Sequence, residues 1–599
     1  MDWEEEQYNK PFDWKVWAKV LPFFKPYRGL LVRLCILIAL VAGGDGLLPL
    51  IQKYAIDHFI VPRTTQGVWP LVAACALVFA LAAFCIIRFV WLSMRIELFF
   101  ARDLRSALFR HLQTLSLDYY NTTPVGYLIA RVMSDTERIG EVIAWGAGDV
   151  LWGLAYLVMV TAVMLAMNWR LALVVIVMFP LIALCTMWFQ SRMLRYNRHA
   201  RHVNSLLTGA FNEGVIGART SKTLVIEDVN DGNFRSLSGK MKTAAIRAAS
   251  ISALYMPVVS FFGVLAVAII LVYGSGLVSI GQLPLGTLSA MISYGMGVFE
   301  PIQNLARTFT GVVATQANIE RITALAETKP LITDRRDVIE RYGDSFTPKR
   351  ENWEKLEGHV TFEDVTFRYH DGNRDVLEHF NLDVPAGQTV AIVGDTGAGK
   401  STLVNLVCRF LEPTGGRILI DGKDIRDRSM LWLHSNIGYV LQSPHLFSGT
   451  IRDNIRYGRP DASDEDIKKA ASLVCADAVI AKLEQGLDTD VGEGGDLLST
   501  GEKQLISFAR AVIADPRIFV LDEATSSIDT QTERLIQNAI SNILVGRTSF
   551  IVAHRLSTIR MADQILVVQG GEIIEQGTHD GLLAADGYYA HLYRKQFEM

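Results

Sequence analysis

The chain has 599 residues, of which 50% are hydrophobic, with a mean hydropathy of +0.24 and a formal net charge of −4. That length exceeds what one ordinary core supports, so we expect two or more domains. The net charge itself says nothing about nucleic acid, but neither a basic tail nor an aromatic-basic stripe is seen, so no nucleic-acid partner is expected.

The chain starts with an acidic, polar stretch that has no signal-peptide pattern. Residues 12–24 then combine aromatic and basic side chains in a pattern typical of an amphipathic helix lying along a bilayer surface. A polar lead-in to the first span is the alternative. The side chains concerned are Trp14, Trp17, Phe24, Lys15 and Lys19.

Long apolar runs fill the first half of the chain. A bilayer core needs about 20 apolar residues of helix, and a water-soluble protein would not carry six such runs. The six runs are residues 30–51, 71–92, 150–167, 171–189, 252–273 and 285–305. The first half therefore predicts an all-α, six-span transmembrane domain.

Three acidic residues lie in or beside these runs: Asp45 is in the middle of the first, Asp149 is at the start of the third, and Glu300 is in the sixth. Intramembrane acids are costly and often functional, so one interpretation is a cavity that accepts amphipathic or cationic cargo. Hydrogen bonds to neighbouring helices, or solvation at a helix end, are the structural alternative.

Basic residues are distributed unequally between the loops. The loops after spans two and four are rich in Arg and Lys, whereas the other loops offer only Lys53, Arg63 and Arg170. Because excess Lys and Arg marks the cytoplasmic side, both termini are expected in the cytoplasm. The two basic loops are long and helical in pattern, so spans two to five are expected to project beyond the bilayer.

A polar, charged connector separates the spans from a second domain. It combines Pro, Asp, Arg and Lys without an apolar period, which is typical of a linker. Strand-like sequence resumes at His359, and α/β patterning continues to Met599. The expected domains are an N-terminal interfacial helix (1–28), the transmembrane domain (29–327), the linker (328–356) and the α/β domain (357–599).

A glycine-rich run in the α/β domain lies between a strand-like stretch, Thr389–Val393, and a helical stretch that starts at Ser401. Glycines in that context let backbone N–H groups converge on phosphate oxygens, as in a P-loop. Lys400 is expected to reach the β- and γ-phosphates, and Ser401 to ligate Mg²⁺. The predicted nucleotide-binding residues of this run are Gly394, Asp395, Thr396, Gly397, Ala398, Gly399, Lys400, Ser401 and Thr402.

A buried-strand pattern at residues 517–523 ends in two acids. An apolar strand delivers such carboxylates to the edge of the sheet where a phosphate-binding loop also lies. Asp522 is expected to hold Mg²⁺, and Glu523 to polarise the attacking water. A structural acidic strand end is the alternative, but the upstream P-loop favours catalysis.

Three further side chains are candidates for contact with the nucleotide. His554 ends an apolar strand and is expected to touch the γ-phosphate and fix the attacking water. Gln442 ends another strand and is predicted to ligate Mg²⁺ or that water. Tyr369 precedes the P-loop and is expected to stack on adenine, with a core aromatic as the alternative.

The order of these motifs, fused behind six spans, resembles half-transporters of the B-type ATP-binding cassette (ABC) exporters, a family of lipid flippases and multidrug exporters. The resemblance covers nearly the whole chain, because it includes both the spans and the motifs of the α/β domain. Within the first half, Pro124–Gly126 also resembles that family's first intracellular loop. It implies ATP and Mg²⁺ as cofactors, Glu523 as general base and His554 as switch histidine. It also implies that Asp529 belongs to a loop crossing to the opposing cassette. Coupling helices near residues 118–126 and 212–223 would dock on the cassettes.

The family's signature segment, Leu-Ser-Gly-Gly-Gln, packs on the γ-phosphate held by the other cassette. Here the segment reads Leu498, Ser499, Thr500, Gly501, Glu502. Thr500 adds a β-branched side chain where a glycine permits close approach, and Glu502 brings a carboxylate near an anionic phosphate. The helix that follows still directs its N-terminus at phosphate, so we expect ATP binding to survive better than turnover.

An intact P-loop beside an altered signature predicts a heterodimer. This chain's P-loop, Glu523 and His554 are expected to face a partner's intact signature and hydrolyse ATP. Its own signature would cap a second, slow site on the partner. The alternative is a tolerated variant in a homodimer, such as a homodimeric lipid flippase.

Together these features predict an ATP hydrolase that drives export, or flipping, of amphipathic small molecules, drugs or lipids. A soluble ABC ATPase conflicts with the six spans, and a nucleotide-gated channel or regulator is disfavoured by Glu523. The expected location is a bacterial plasma membrane, in which the chain is a multi-pass protein surrounded by lipid.

Overall fold

The computed structural model describes residues 13–370, 372–395, 397–442, 444–522, 529–553 and 555–597. These residues form two compact units. The first unit contains the described residues up to Gln113 together with Thr123–Thr328, and the second contains Thr114–Thr122 and the described residues from Lys329 onward. The first unit is helical and the second is α/β, which confirms the predicted fold class.

The first unit consists of long helices joined by short connections. In chain order its helices are α1 (Trp14–Val20), α2 (Arg28–Ala55), α3 (Val68–Leu112), α5 (Val125–Ala130), α6 (Thr136–Glu141), α7 (Ala147–Met167), α8 (Trp169–Ile216), α9 (Ala218–Leu224), α10 (Glu227–Ser279), α11 (Leu285–Gly297) and α12 (Phe299–Glu327). Helix α4 (Leu117–Thr122) falls between α3 and α5 in the chain but belongs to the second unit.

Within the described residues, five helical stretches are long and apolar enough to cross a membrane. They are Trp14–Ile60, Val68–Leu112, Val125–Met167, Trp169–Ile216 and Glu227–Ser279. At a rise of 1.5 Å per residue, α3, α8 and α10 are each about 65–80 Å long, against a hydrocarbon core of about 30 Å. Each of these three helices is therefore about twice as long as such a core is thick, as the sequence predicts for spans with long helical extensions.

The sixth predicted span is not one helix. It is divided at Val298 into α11, of 13 residues, and α12, of 29 residues. Pro301 explains the interruption, because it has no N–H to donate to the Gly297 carbonyl one turn earlier, and its ring crowds that carbonyl. The apolar run alone does not reveal the break.

The predicted interfacial stretch is helical where the structure describes it, and residues 1–12 lie outside the described part. The Asp13 carboxylate caps α1 by accepting the Lys15 N–H at 2.8 Å. A 3₁₀ turn follows, in which Phe24 is buried and stacks on Phe100 with ring centroids 4.3 Å apart. One face of this stretch is therefore buried against helices of its own unit.

Two of the three intramembrane acids have hydrogen-bond partners in the first unit. The Trp152 indole donates to Asp45 at 3.1 Å, and the Thr308 hydroxyl donates to Asp149 at 3.3 Å. The side chain of Glu300 is exposed. These contacts favour the structural interpretation for Asp45 and Asp149.

The second unit contains two sheets with helices around them. Its strands are β1 (Val360–Phe367), β2 (Leu377–Val384), β3 (Thr389–Val393), β4 (Gly415–Ile420), β5 (Lys423–Asp424), β6 (Ile437–Val440), β7 (Ile518–Asp522), β8 (Thr548–Val552), β9 (Gln564–Gln569) and β10 (Glu572–Gly577). Its helices after α4 are α13 (Arg336–Tyr342), α14 (Lys400–Val407), α15 (Met430–Ser435), α16 (Ile451–Arg456), α17 (Asp464–Leu473), α18 (Asp477–Ile480), α19 (Thr500–Val512), α20 (Thr530–Leu544), α21 (Leu556–Arg560), α22 (His579–Ala584) and α23 (Tyr588–Phe597).

The larger sheet has the order β10-β9-β3-β8-β7-β6 and is parallel except for β10. Strands β3 and β8 are buried at every residue, which fits a parallel sheet covered by helices on both faces. The smaller sheet is antiparallel with the order β2-β1-β4-β5. Parallel strands bring their carboxyl ends to one edge, where the loops after β3, β6, β7 and β8 meet.

Residues 329–356, nearly all of the stretch predicted as a linker, belong to the second unit and include the helix α13. Val338 and Tyr342 of α13 are buried. Asp334 accepts a hydrogen bond at 2.8 Å from the guanidinium of Arg409, which is itself buried. Composition missed this packing because the partners lie far apart in the chain.

Candidate functional site

The glycine-rich run joins β3 to α14, as the sequence predicts. Gly399 caps α14 with a φ of +103°, a left-handed conformation that side chains other than glycine rarely adopt. Gly394 passes so close to β9 that an added Cβ would collide with the Val568 carbonyl oxygen. These two positions require glycine, and they hold the loop in a compact turn at the start of the helix.

Lys400 is 8% exposed, although it carries a positive charge. Its ammonium donates to the carbonyls of Gly394 at 2.6 Å and Asp395 at 2.9 Å, and within the described residues it meets no carboxylate at ion-pair distance. Burial lowers the pKa of Lys400, and the nearby charges of Asp395 and Asp522 oppose that shift. A buried cation held by two backbone carbonyls at a helix N-terminus is suited to an anionic phosphate.

Asp522 lies at the same edge of the sheet as the P-loop. It ends β7 opposite Val552 of β8, which in turn lies opposite Ile392 of β3. With strands about 4.8 Å apart, its backbone is roughly 10 Å from β3. Gln442 follows β6, the next strand outward, and is exposed. The sheet therefore gathers the predicted metal ligands Ser401, Gln442 and Asp522 at one edge.

Tyr369 lies beside the first turn of α14. Its hydroxyl is 3.0 Å from the Thr402 hydroxyl, and its ring packs edge-on against Phe367 with centroids 5.0 Å apart. The residue is 40% exposed, so it is not a core aromatic. A cavity of about 360 Å³ adjoins it, lined in part by Ser116 and Asp118 of the α4 segment. Tyr369 thus has an exposed ring within reach of the phosphate loop.

The altered signature forms the N-terminus of α19. The Ser499 N–H and hydroxyl both donate to one carboxylate oxygen of Glu502, at 2.9 and 2.8 Å. The Glu502 N–H returns a bond of 3.4 Å to the Ser499 hydroxyl oxygen, completing a capping box. Thr500 is exposed and Gly501 is buried. The Glu502 carboxylate is therefore held against the end of the helix.

Asp529 caps α20. Its carboxylate accepts the N–H groups of Gln531 at 3.0 Å and Thr532 at 2.9 Å. The hydrogen bonds from Thr532 in particular lower the pKa of Asp529. The residue has a clear role in this helix start, alongside the inter-cassette role that the resemblance implies.

Three predicted site residues, Thr396, Glu523 and His554, lie outside the described residues. The catalytic assignments of Glu523 and His554 therefore rest on the sequence. Position 523 directly follows Asp522 at the end of β7, and position 554 follows Ala553 two residues after β8.

Arg510, on α19, is a connecting residue that sequence reasoning missed. Its guanidinium donates to the carbonyls of His445 at 2.8 Å and Asn454 at 2.9 Å, and it faces the Phe447 ring. It therefore ties the segment after Gln442 to the signature helix. An arginine on the largely buried side of an amphipathic helix was the available signal, since such a charge requires partners.

Comparison with known proteins gives consistent matches over both units. Residues 31–302 match the ABC transporter transmembrane region, and residues 377–526 match the ABC transporter family. YgaD of Bacillus subtilis, provisionally named a multidrug export ATP-binding/permease protein, is 34% identical over 594 residues, covering 97% of this chain and 99% of YgaD. An ATP-dependent lipid A-core flippase of Desulfotalea psychrophila is 35% identical over 495 residues, covering 83% of this chain and 84% of the flippase. A solved structure of a bacterial Atm1-family ABC exporter with ATP bound has a TM-score of 0.76 and 28% identity, covering 95% of this chain and 98% of that one.

Proposed function

Since the chain belongs to the ABC transporter family, as a B-type exporter half-transporter that couples ATP hydrolysis to transport, we propose that it exports or flips amphipathic molecules as one half of a heterodimer. ABC exporters function as dimers, and the cassette of this chain binds ATP. In the proposed assembly one ATP site is fully active and the other is impaired.

The observation that supports the impaired site is the capping of α19 by Glu502. A helix N-terminus attracts anions because its N–H groups are unpaired and the helix dipole is positive there. Glu502 already supplies an anion at that point and bonds both donors of Ser499. The γ-phosphate of an ATP on the partner would have to displace this carboxylate, or approach it against Coulomb repulsion.

The active site in this proposal is built on this chain's own P-loop. Lys400 would exchange its two backbone carbonyl partners for the phosphates of ATP. Ser401, Gln442 and Asp522 would hold Mg²⁺, whose role is to neutralise charge on the phosphates. Glu523 would act as general base and His554 would orient the attacking water. The signature completing this site would come from the partner.

The cargo that the chain supports is amphipathic, a drug-like molecule or a lipid. Two relatives support both kinds of cargo, since one is named for multidrug export and the other for flipping of the lipid A core. Asp45 and Asp149 already accept hydrogen bonds from neighbouring helices. Of the three intramembrane acids, Glu300 is the exposed one, and in this proposal it binds the cationic group of a cargo molecule.

The membrane in this proposal is a bacterial plasma membrane, with both termini in the cytoplasm. The chain is an integral multi-pass protein. Its basic loops support the orientation through the positive-inside rule, and the relatives described above are bacterial. Reporter fusions at Lys53 and at the C-terminus would report opposite sides if the orientation holds.

The test is ATPase activity of the full-length chain, purified alone and together with a second half-transporter encoded beside it. The heterodimer proposal expects slow hydrolysis by the chain alone and fast hydrolysis by the pair. Robust ATPase activity from the chain alone would contradict it and favour the homodimeric flippase. Uptake of a dye panel into inside-out vesicles containing the active assembly would then define the cargo.

A further inference from the structure

Among the described residues, helix α23 contacts the P-loop through a side-chain hydrogen bond. Tyr588, the first residue of α23, donates its hydroxyl to the Asp395 carboxylate at 2.5 Å. The two residues are 193 positions apart in the chain. Asp395 is the second residue of the glycine-rich run and is exposed, whereas Tyr588 is half-buried.

Tyr588 is held in place by the edge of the large sheet. Glu575 of β10 accepts the backbone N–H groups of Tyr588 at 2.5 Å and Tyr589 at 2.9 Å, so its carboxylate caps α23. Across the sheet Glu575 lies opposite Val567, which lies opposite Val393, the last residue of β3. The register therefore sets the start of α23 at the level where the P-loop begins.

Asp395 places a carboxylate in a loop whose task is to bind an anion. Its negative charge acts on Lys400, the buried cation of the same loop. If this carboxylate turned towards the Lys400 ammonium, it would compete with phosphate and repel it. The hydrogen bond to Asp395 also raises the pKa of the Tyr588 hydroxyl, so the tyrosine stays a donor at physiological pH.

We infer that Tyr588 is a positioning residue for ATP binding, whose hydroxyl holds the Asp395 carboxylate away from the phosphates. The inference rests on the proposed function, in which this P-loop binds ATP. It gives the C-terminal helix a direct effect on nucleotide affinity, exerted through a single side chain.

The experiment measures ATP affinity of the purified full-length chain by displacement of a fluorescent trinitrophenyl-ATP analogue. Tyr588→Phe keeps the ring but frees Asp395, and it is expected to weaken ATP binding about tenfold, the usual worth of a hydrogen bond to a charged group. Asp395→Asn removes the charge that Tyr588 restrains. The double variant is therefore expected to bind ATP within about twofold of Asp395→Asn alone, because the two residues act as one unit.

The matched control is Tyr589→Phe, which breaks the neighbouring bond of Tyr589 to His579, 2.7 Å long, without touching the P-loop. It should leave ATP affinity unchanged. The inference is overturned if Tyr588→Phe binds ATP like the parent chain, or if Asp395→Asn fails to rescue it. Lys400→Ala in the same assay tests whether this P-loop binds ATP at all. If that variant kept the ATP affinity of the parent chain, both the P-loop assignment and the inference about Tyr588 would be overturned.

Discussion

Ser499 gives both its backbone N–H and its hydroxyl to the carboxylate of Glu502, so the signature helix carries its own anion at its N-terminus. In the signature of the ABC exporter family, the position of Glu502 is a neutral glutamine. The same capping geometry with a neutral amide would leave the positive end of the helix dipole available to phosphate.

Restoring the family signature should therefore raise the ATPase activity of this chain when it is purified without a partner. Thr500→Gly with Glu502→Gln removes the β-branched side chain and the negative charge together. We expect ATPase activity of the purified single chain to rise several-fold, since one such charge at a helix end is worth about 0.3–1 kcal/mol, and up to about 2 kcal/mol where it is partly buried. Glu502→Asp, which keeps the charge, is the control. An equal rise in the control, or no rise in the repaired variant, would count against the role given to Glu502.

Replacing the proposed general base should separate ATP binding from turnover. Glu523→Gln keeps the size of the side chain and removes its ability to take a proton. We expect ATP affinity to be preserved while hydrolysis by the active assembly stops. Turnover above about a tenth of the parent rate would argue against Glu523 as the base.

Tyr369 should contribute to ATP affinity through its ring rather than its hydroxyl. Stacking of a base on an aromatic ring is worth about 1–3 kcal/mol, so Tyr369→Ala is expected to weaken ATP binding about tenfold. Tyr369→Phe loses the 3.0 Å contact with Thr402 but keeps the ring, and should bind within about threefold of the parent. Unchanged affinity of the alanine variant would refute adenine stacking.

The buried charge cluster around Asp135 should matter for stability. Asp135 is 5% exposed and meets the guanidinium groups of Arg131 at 2.8 Å and Arg321 at 3.2 Å. Removing one partner of a buried pair costs about 3–5 kcal/mol, because the remaining charges stay buried. Asp135→Ala should lower the thermal unfolding midpoint in detergent by several degrees.

The exposed pair of Asp231 and Arg235, 2.9 Å apart, provides the control for this measurement. Such a pair one helical turn apart is worth only about 0.3–0.5 kcal/mol. Asp231→Ala should therefore leave the midpoint nearly unchanged. Equal shifts in the two variants would contradict a special role for the buried cluster.

The sequence predicted those features that depend on neighbours in the chain. The strand before Gly394 and the helix after Gly399 were predictable because glycine placement and apolar periodicity are local signals. The long helices were predictable from apolar length. The capping box was also predictable, since Ser499 and Glu502 have its spacing. Only the charge of Glu502 near a phosphate was considered, so the hydrogen bonds between these two residues were not predicted.

Features that depend on distant partners escaped prediction. The hydrogen bond from Arg409 to Asp334, in the stretch predicted as a linker, joins residues that are 75 positions apart in the chain. The contact of Tyr588 with Asp395 joins two segments with no shared pattern. The break at Val298 escaped prediction for a different reason. Pro301 removes a backbone hydrogen bond there, but the sequence stays apolar on both sides of it, so hydropathy predicts one continuous span.

The central claim is that ATP held by this P-loop drives movement of cargo across the membrane. The most direct test is ATP-dependent uptake of a transported dye into inside-out vesicles that contain the active assembly, with and without Lys400→Ala. We expect the variant to lose uptake while remaining in the membrane at the parent level. Undiminished uptake by the variant would contradict the account.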